Sequence, residues 1–232
     1  MTTLSTVMMC SLLLEHNINV FLENSWECVL VNKSNKLVYG IGIKGMKYSA
    51  RKSGVLLKEY NAWRSMLLRC TPKHWINYPS CSGCTVSENF KSYEYFYEWC
   101  QSQVGFGSVD ENGKLWCLDK DILIKGNKLY SEDTCTFVPH KINTLLVKCD
   151  KVRGSSPVGV CFDRTFNKFM SQVRLGCGVR KFLGHYSTEQ EAFLAYKTFK
   201  EVYIKQVAED YKGAVDDRVY NTLISYRVEI AD

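Results

Sequence analysis

The chain has little histidine, four residues among 232, and one CxxC with no second close cysteine pair beside it. It has no hydrophobic run long enough for a bilayer, and no Lys or Arg before Lys33. Each shortage narrows the reading. The apolar stretch at residues 7–14 is far short of the roughly 20 residues a membrane helix needs, and no basic segment precedes it, so neither a membrane span nor export is expected. Eleven scattered cysteines without a secretory signal point to reduced thiols and a cytoplasmic setting. Cys81 and Cys84 have the spacing that lets two thiolates reach one tetrahedral Zn2+, and Cys70 and Cys100 could complete the set. Without a second close pair, buried or free thiols are the default.

What is present is a core and a local excess of positive charge. With 46% hydrophobic and 13% aromatic content, the chain can bury a substantial interior. Residues 141–186 carry nine Lys or Arg against Asp150 and Asp163, an excess larger than the whole chain's net charge of +6. The basic charge is therefore concentrated, the footprint expected for a partner with a phosphate backbone.

The fold class read from the pattern is α+β. Residues 1–36 carry no functional pattern; residues 8–14 could start a helix and 25–32 a strand. Gly40, Gly42 and Gly45 form a GxGxxG, but no helix opens after it, so a glycine-rich hairpin is expected rather than a dinucleotide site. Tyr60, Trp63, Leu67 and Cys70 fall on one helical face, and Phe90, Tyr93, Phe96 or Tyr97, and Cys100 on another, with Pro72 and Pro79 bracketing a loop between them. Residues 115–146 read strand, Gly-Asn turn, strand, and a helix opened by Pro139 at its first position. Residues 150–156 form a polar, basic linker, and 215–226 a last helix carrying Val219 and Leu223.

The best-patterned stretch is 158–199. Strands are expected at 158–163, 168–175 and 180–183, with a break at Gly184. In the second strand Lys168, Met170, Gln172 and Arg174 alternate with Phe169, Ser171 and Val173, which gives one basic and one apolar face. Ser187 followed by Gln190 fits a capping box for a helix whose apolar stripe is Ala192, Ala195, Phe199 and Val202, with Tyr196 and Tyr203 beside them. That helix covers the apolar face and leaves the basic one to solvent.

The block LGHYSTEQEAFLAY, with Gly159 and Val160 before it, resembles the AP2 DNA-binding domain. The resemblance implies a three-stranded antiparallel sheet packed on one helix over residues 157–212, with Gln172, Arg174, Arg180 and Phe182 at base- and phosphate-contacting positions. The basic sheet edge adds Lys168 and Lys181. Cys161 and Asp163 stand where plant members carry arginine, so the family's target sequence does not transfer. Residues 115–146 resemble the ββα-metal module of bacteriophage HNH endonucleases, particularly those with a C-terminal AP2-like domain, on Leu118-Asp119-Lys120 and on Thr134 to Asn143. Asp119, Val138 and Asn143 match that pattern, while Lys120 replaces the water-activating histidine and Thr134 the central asparagine.

The implied organisation is an N-terminal extension to residue 36, an HNH-like module over 37–149, the linker, the AP2-like domain and a C-terminal helix or tail from 213. In this reading Asp119 and Asn143 would hold Mg2+ or another divalent cation, with Lys120 or His140 as the base. Two functions from different classes follow: a metal-dependent endonuclease acting on double-stranded DNA, and a non-catalytic DNA binder serving regulation or counter-defence in the host cytoplasm. A third is a protein-binding inhibitor of a host protein.

Overall fold

The computed structural model describes residues 19–21, 29–31, 36–147, 156–176 and 179–230. The expected helix start at 8–14 lies outside these residues, as does all of the 150–156 linker except Ser156. Short strands β1 (Asn19–Phe21) and β2 (Val29–Val31) pair antiparallel, the second falling within the strand expected at 25–32. Two compact units follow from the backbone contacts. One takes the described residues up to Ser82 and Val86–Glu98, and the other takes Gly83–Thr85 and the described residues from Trp99 onward.

The first unit contains the hairpin β3 (Arg51–Lys52) and β4 (Val55–Leu56), then α1 (Lys58–Arg69) and α2 (Pro72–Asn77). The segment between Pro72 and Pro79 is thus a short helix rather than a loop. Pro72 takes the first helical position, and the side chain of Thr71 accepts from His74 N. After β5 (Thr85–Val86), the second aromatic helix is broken into α3 (Glu88–Lys91) and α4 (Tyr93–Ser102), because Ser92 makes an isolated bridge to Ile43. Trp63, Met66 and Leu67 are buried with Phe90, Tyr93 and Phe96. Trp63 satisfies its indole by donating to Phe90 O at 2.8 Å. The glycine-rich segment is a tight turn, with Val38 bridged to Gly42. A Cβ on Gly42 would run into Trp63 and Leu67, so glycine permits the close approach.

The second unit contains β6 (Cys117–Asp119), β7 (Leu129–Tyr130), β8 (Thr136–Val138) and α5 (His140–Leu145). It continues with β9 (Val160–Asp163), β10 (Lys168–Gly176), β11 (Val179–Tyr186), α6 (Glu189–Asp210) and α7 (Asp217–Ser225). β6 and β8 are antiparallel and α5 follows directly, so the expected ββα order is present. β6 is shorter than the 115–124 pattern suggested. The Asp119 carboxylate accepts from Asp121 N at 2.9 Å and Ile122 N at 2.7 Å, and these bonds turn the chain out of the ladder. Pro139 is the N-cap of α5 rather than its first residue.

The three-stranded sheet has the order β11-β10-β9 and is antiparallel throughout. Ser171 and Val173 are buried beneath α6 while Lys168 and Arg174 are exposed, as the alternation predicted. Two sequence expectations need correction here. Gly184 does not end β11: it pairs with Ser171, and the register then shifts to Gln172↔Phe182, a bulge that glycine accommodates at φ +139°. The capping box sits one residue later than expected, with Thr188 and Glu191 bonding reciprocally through side chain and backbone. Glutamate there also sets a negative charge against the positive end of the helix.

The buried stripe of α6 keeps Ala192 and Tyr196 of the expected one, with Phe199 and Tyr203 packed partly buried beside it, and runs on through Lys200, Ile204, Val207 and Ala208, while Val202 is exposed. Tyr196 lies against Gly159, where a Cβ would strike its ring, and the Tyr203 hydroxyl donates to Leu175 O at 2.6 Å. These two contacts fix the helix rotation. Val173 and Ile204 share one apolar cluster with Ile122, Val138, Ile142 and Leu145 from the ββα segment, and with Val219 and Leu223 of α7. Among the described residues, no helix is long and apolar enough to cross a membrane.

Candidate functional site

Strand register determines which side chains share the sheet face opposite α6. In an antiparallel pair, directly opposed residues project to the same side. Asp163 opposes Lys168, and Cys161 opposes Met170, which in turn opposes His185. Gln172 opposes Phe182 and Arg174 opposes Arg180, which puts two guanidinium side chains next to each other. Lys168, Gln172, Arg174, Arg180 and Phe182 are therefore brought together on the outer face.

Lys181 is not with them. It opposes the buried Val173, and its ammonium lies 4.6 Å from the centre of the Phe199 ring on α6, so it belongs to the helix side. The bulge at Leu183, between Phe182 and Gly184, shifts the alternation of β11, so Phe182 and His185 both project to the outer face.

Among the described residues, the acidic group on this face, Asp163, is held in a bond. Asp163 Oδ2 lies 3.1 Å from His185 Nε2, and Asp163 Oδ1 accepts from Thr165 N at 2.9 Å in the β9–β10 turn. The His185 hydrogen bond holds the Asp163 carboxyl below its usual range. Two exposed rings flank His185: Phe166 at 4.6 Å between centroids and Phe182 at 5.1 Å. Phe166 carried no signal in the alternation because it stands in a turn. The Gln172 amide approaches Cys161 Sγ at 3.9 Å. Burial, then Asp163, raise the Cys161 thiol above its ordinary range, with Arg180 opposing.

The ββα segment places its predicted site residues differently. Burial, then the charge of Asp121, push Asp119 up to about 6, while its two backbone donors pull the other way. Lys120 is buried, pairs with Asp121 Oδ2 at 3.3 Å, and lies 5.6 Å from the Tyr130 ring centre. Its amine is thus engaged within the protein by a carboxylate and a ring. Thr134 donates to Leu129 O at 2.8 Å and accepts from Ser131 N, so it ties the loop together. Asn127, which the sequence marked only as part of a turn, donates to both Lys120 O and Leu129 O at 2.7 Å. His140 is exposed at the start of α5 and Asn143 is half-buried within it. Among the described residues, no group of three or more His, Cys, Asp or Glu side chains is placed to hold a metal ion, the candidate cysteine set at Cys70, Cys81, Cys84 and Cys100 included. Asp119 Oδ1 already accepts two backbone donors, so a divalent cation at this oxygen would compete with them.

Compared with protein-family models, curated proteins and solved structures, the chain matches none.

Proposed function

We propose that this protein binds double-stranded DNA through the outer face of the β9–β11 sheet, with the ββα segment serving as structural support. The observation that carries this reading is the cross-strand register, which aligns Lys168, Gln172 and Arg174 with Arg180 and Phe182 on the face turned away from α6. Three strands at the usual spacing are about 10 Å across, and the major groove is about 12 Å wide, so the face is of a size to enter it. Guanidiniums supply phosphate contacts or bidentate contacts to guanine, while Gln172 supplies an amide able to pair with adenine. The AP2 resemblance at these same positions supports the reading.

Filter binding to random-sequence duplex DNA tests it. Affinity should fall steeply with salt, because neutralising phosphates releases counterions. Arg174→Ala and Arg180→Ala should each cost about 1 to 3 kcal/mol if the side chain makes a bidentate base contact. Lys181→Ala should cost less, since its ammonium lies on the helix side. Salt-independent association, or equal losses at all three positions, would overturn the assignment of the face. The same preparations test the catalytic expectation. Supercoiled plasmid with Mg2+ or Mn2+ should stay intact; nicking abolished by Asp119→Ala and by Asn143→Ala would instead make the ββα segment a nuclease site.

A further inference from the structure

Resting on that reading, we infer that the same face also takes unpaired bases, stacking them on Phe166 and Phe182 either side of His185, so that the protein engages single-stranded as well as duplex nucleic acid. Phe166 and Phe182 are 62% and 56% exposed, a large apolar area to leave on an otherwise polar sheet face. Their rings flank the His185 imidazole at 4.6 and 5.1 Å, with interplanar angles of 34° and 63°. The Asp163 hydrogen bond at 3.1 Å orients that imidazole, so three π-systems run along the surface in fixed relation.

The surrounding charge selects the occupant. Lys168, Arg174 and Arg180 share the face, exposed Arg164 stands in the adjoining turn, and the carboxylate of Asp163 is engaged by His185. Rings set among cations match a strand of alternating bases and phosphates, since every base has a π-face and every linkage a negative charge. A duplex buries its base faces in the stack and offers only their edges, so it would leave the ring of Phe166 in contact with little and use Phe182 only at a base edge. A purely apolar protein partner would leave the cations desolvated and unpaired.

Fluorescence anisotropy with a labelled 12-nucleotide thymidine strand and a 12-base-pair duplex, at equal low salt, tests the inference on the full chain. Wild-type protein should bind the single strand at least as tightly as the duplex. Phe166→Ala and Phe182→Ala should each weaken single-strand binding by about 5- to 150-fold, the range for losing one base stack, while for Phe166→Ala, which lies outside the proposed duplex contacts, duplex affinity changes less than about threefold. Phe182→Tyr should retain the single-strand affinity, separating loss of a ring from loss of fold. Duplex binding without single-strand binding, or equal losses on both probes for Phe166→Ala, overturns the inference and leaves the duplex reading standing. Single-strand binding alone overturns the duplex reading, and binding to neither probe overturns both.

Discussion

Lys200 is a cation with 7% of its surface exposed, on the face of α6 that packs into the core. Its nearest recorded electrostatic contact is the Tyr203 ring, 6.0 Å from the ammonium, and burial lowers its pKa from the usual 10.5 to about 8. The folded state therefore resists a proton that the unfolded chain accepts. At about 1.4 kcal/mol per pH unit, this difference destabilises the protein by about 3 kcal/mol at pH 7. The sign follows from proton counts. Below about 8 both states hold the proton and the full penalty is present. Between about 8 and 10.5 only the unfolded chain holds it, so stability rises with pH until the penalty disappears. Cys135 acts in the opposite direction: burial raises its thiol to about 12, so the unfolded chain ionises first and stability falls as pH rises above 9. The wild-type curve alone would mix the two. The informative quantity is the difference between Lys200→Met and wild type in urea titrations at pH 7, 8, 9 and 10. The variant should be more stable by about 3 kcal/mol at pH 7, because it keeps the aliphatic stem and removes the charge. Its advantage should shrink by pH 10. A difference independent of pH would show that the amine reaches water freely, and would refute the argument.

Asp119→Asn keeps an oxygen for the two backbone donors while removing a charge whose burial moves its pKa from 3.8 to about 6. The wild type should lose up to about 3 kcal/mol as pH rises from 3.8 through 6, and the variant, measured by denaturant midpoint, should not. Gly159 has φ +80° and faces the Tyr196 ring, so Gly159→Ala should cost more than about 2 kcal/mol in the same assay. Thr188→Ala removes the N-cap of α6 and should cost about 1 to 2 kcal/mol, with Thr188→Ser restoring most of it. The hydroxyl of Ser171 is fully buried without a hydrogen-bond partner, so Ser171→Ala should raise the thermal midpoint, corresponding to about 1 kcal/mol.

Legibility in the sequence tracked the range of the interaction that fixes each feature. The alternation from Lys168 to Arg174 could be read directly, because strand period and burial agree over seven residues and local sequence records both. The orientation of Lys181 could not. It depends on the register shift at Ser171 and Gln172, a property of two strands rather than one, and a single extra residue in β11 inverts the face on which its neighbours lie. The course of the α6 stripe was hidden for a related reason: Ala195 and Val202 are as apolar as the residues actually buried, and only the docking of Tyr196 on Gly159 and of Tyr203 on Leu175 chooses between them.

In the ββα segment the order of elements follows the sequence pattern while the charged side chains are engaged within the protein. Asp119 lies at the end of a strand facing an antiparallel partner, as the pattern required, yet its carboxylate closes a turn onto Asp121 and Ile122. A carboxylate that accepts two backbone N–H groups does structural work that an approaching cation would have to displace. Lys120 behaves consistently with this, since its partner is the neighbouring Asp121 rather than anything arriving from solvent. On the outer sheet face the balance is reversed. Asp163 is engaged by His185, while exposed basic side chains and two exposed rings stand around that pair. The segment that resembles an enzyme thus satisfies its charges internally, and the segment that resembles a binding module turns cations and rings outward. The proposed binding face is for that reason the sheet, where a polyanion could replace water without first breaking a bond on which the fold depends.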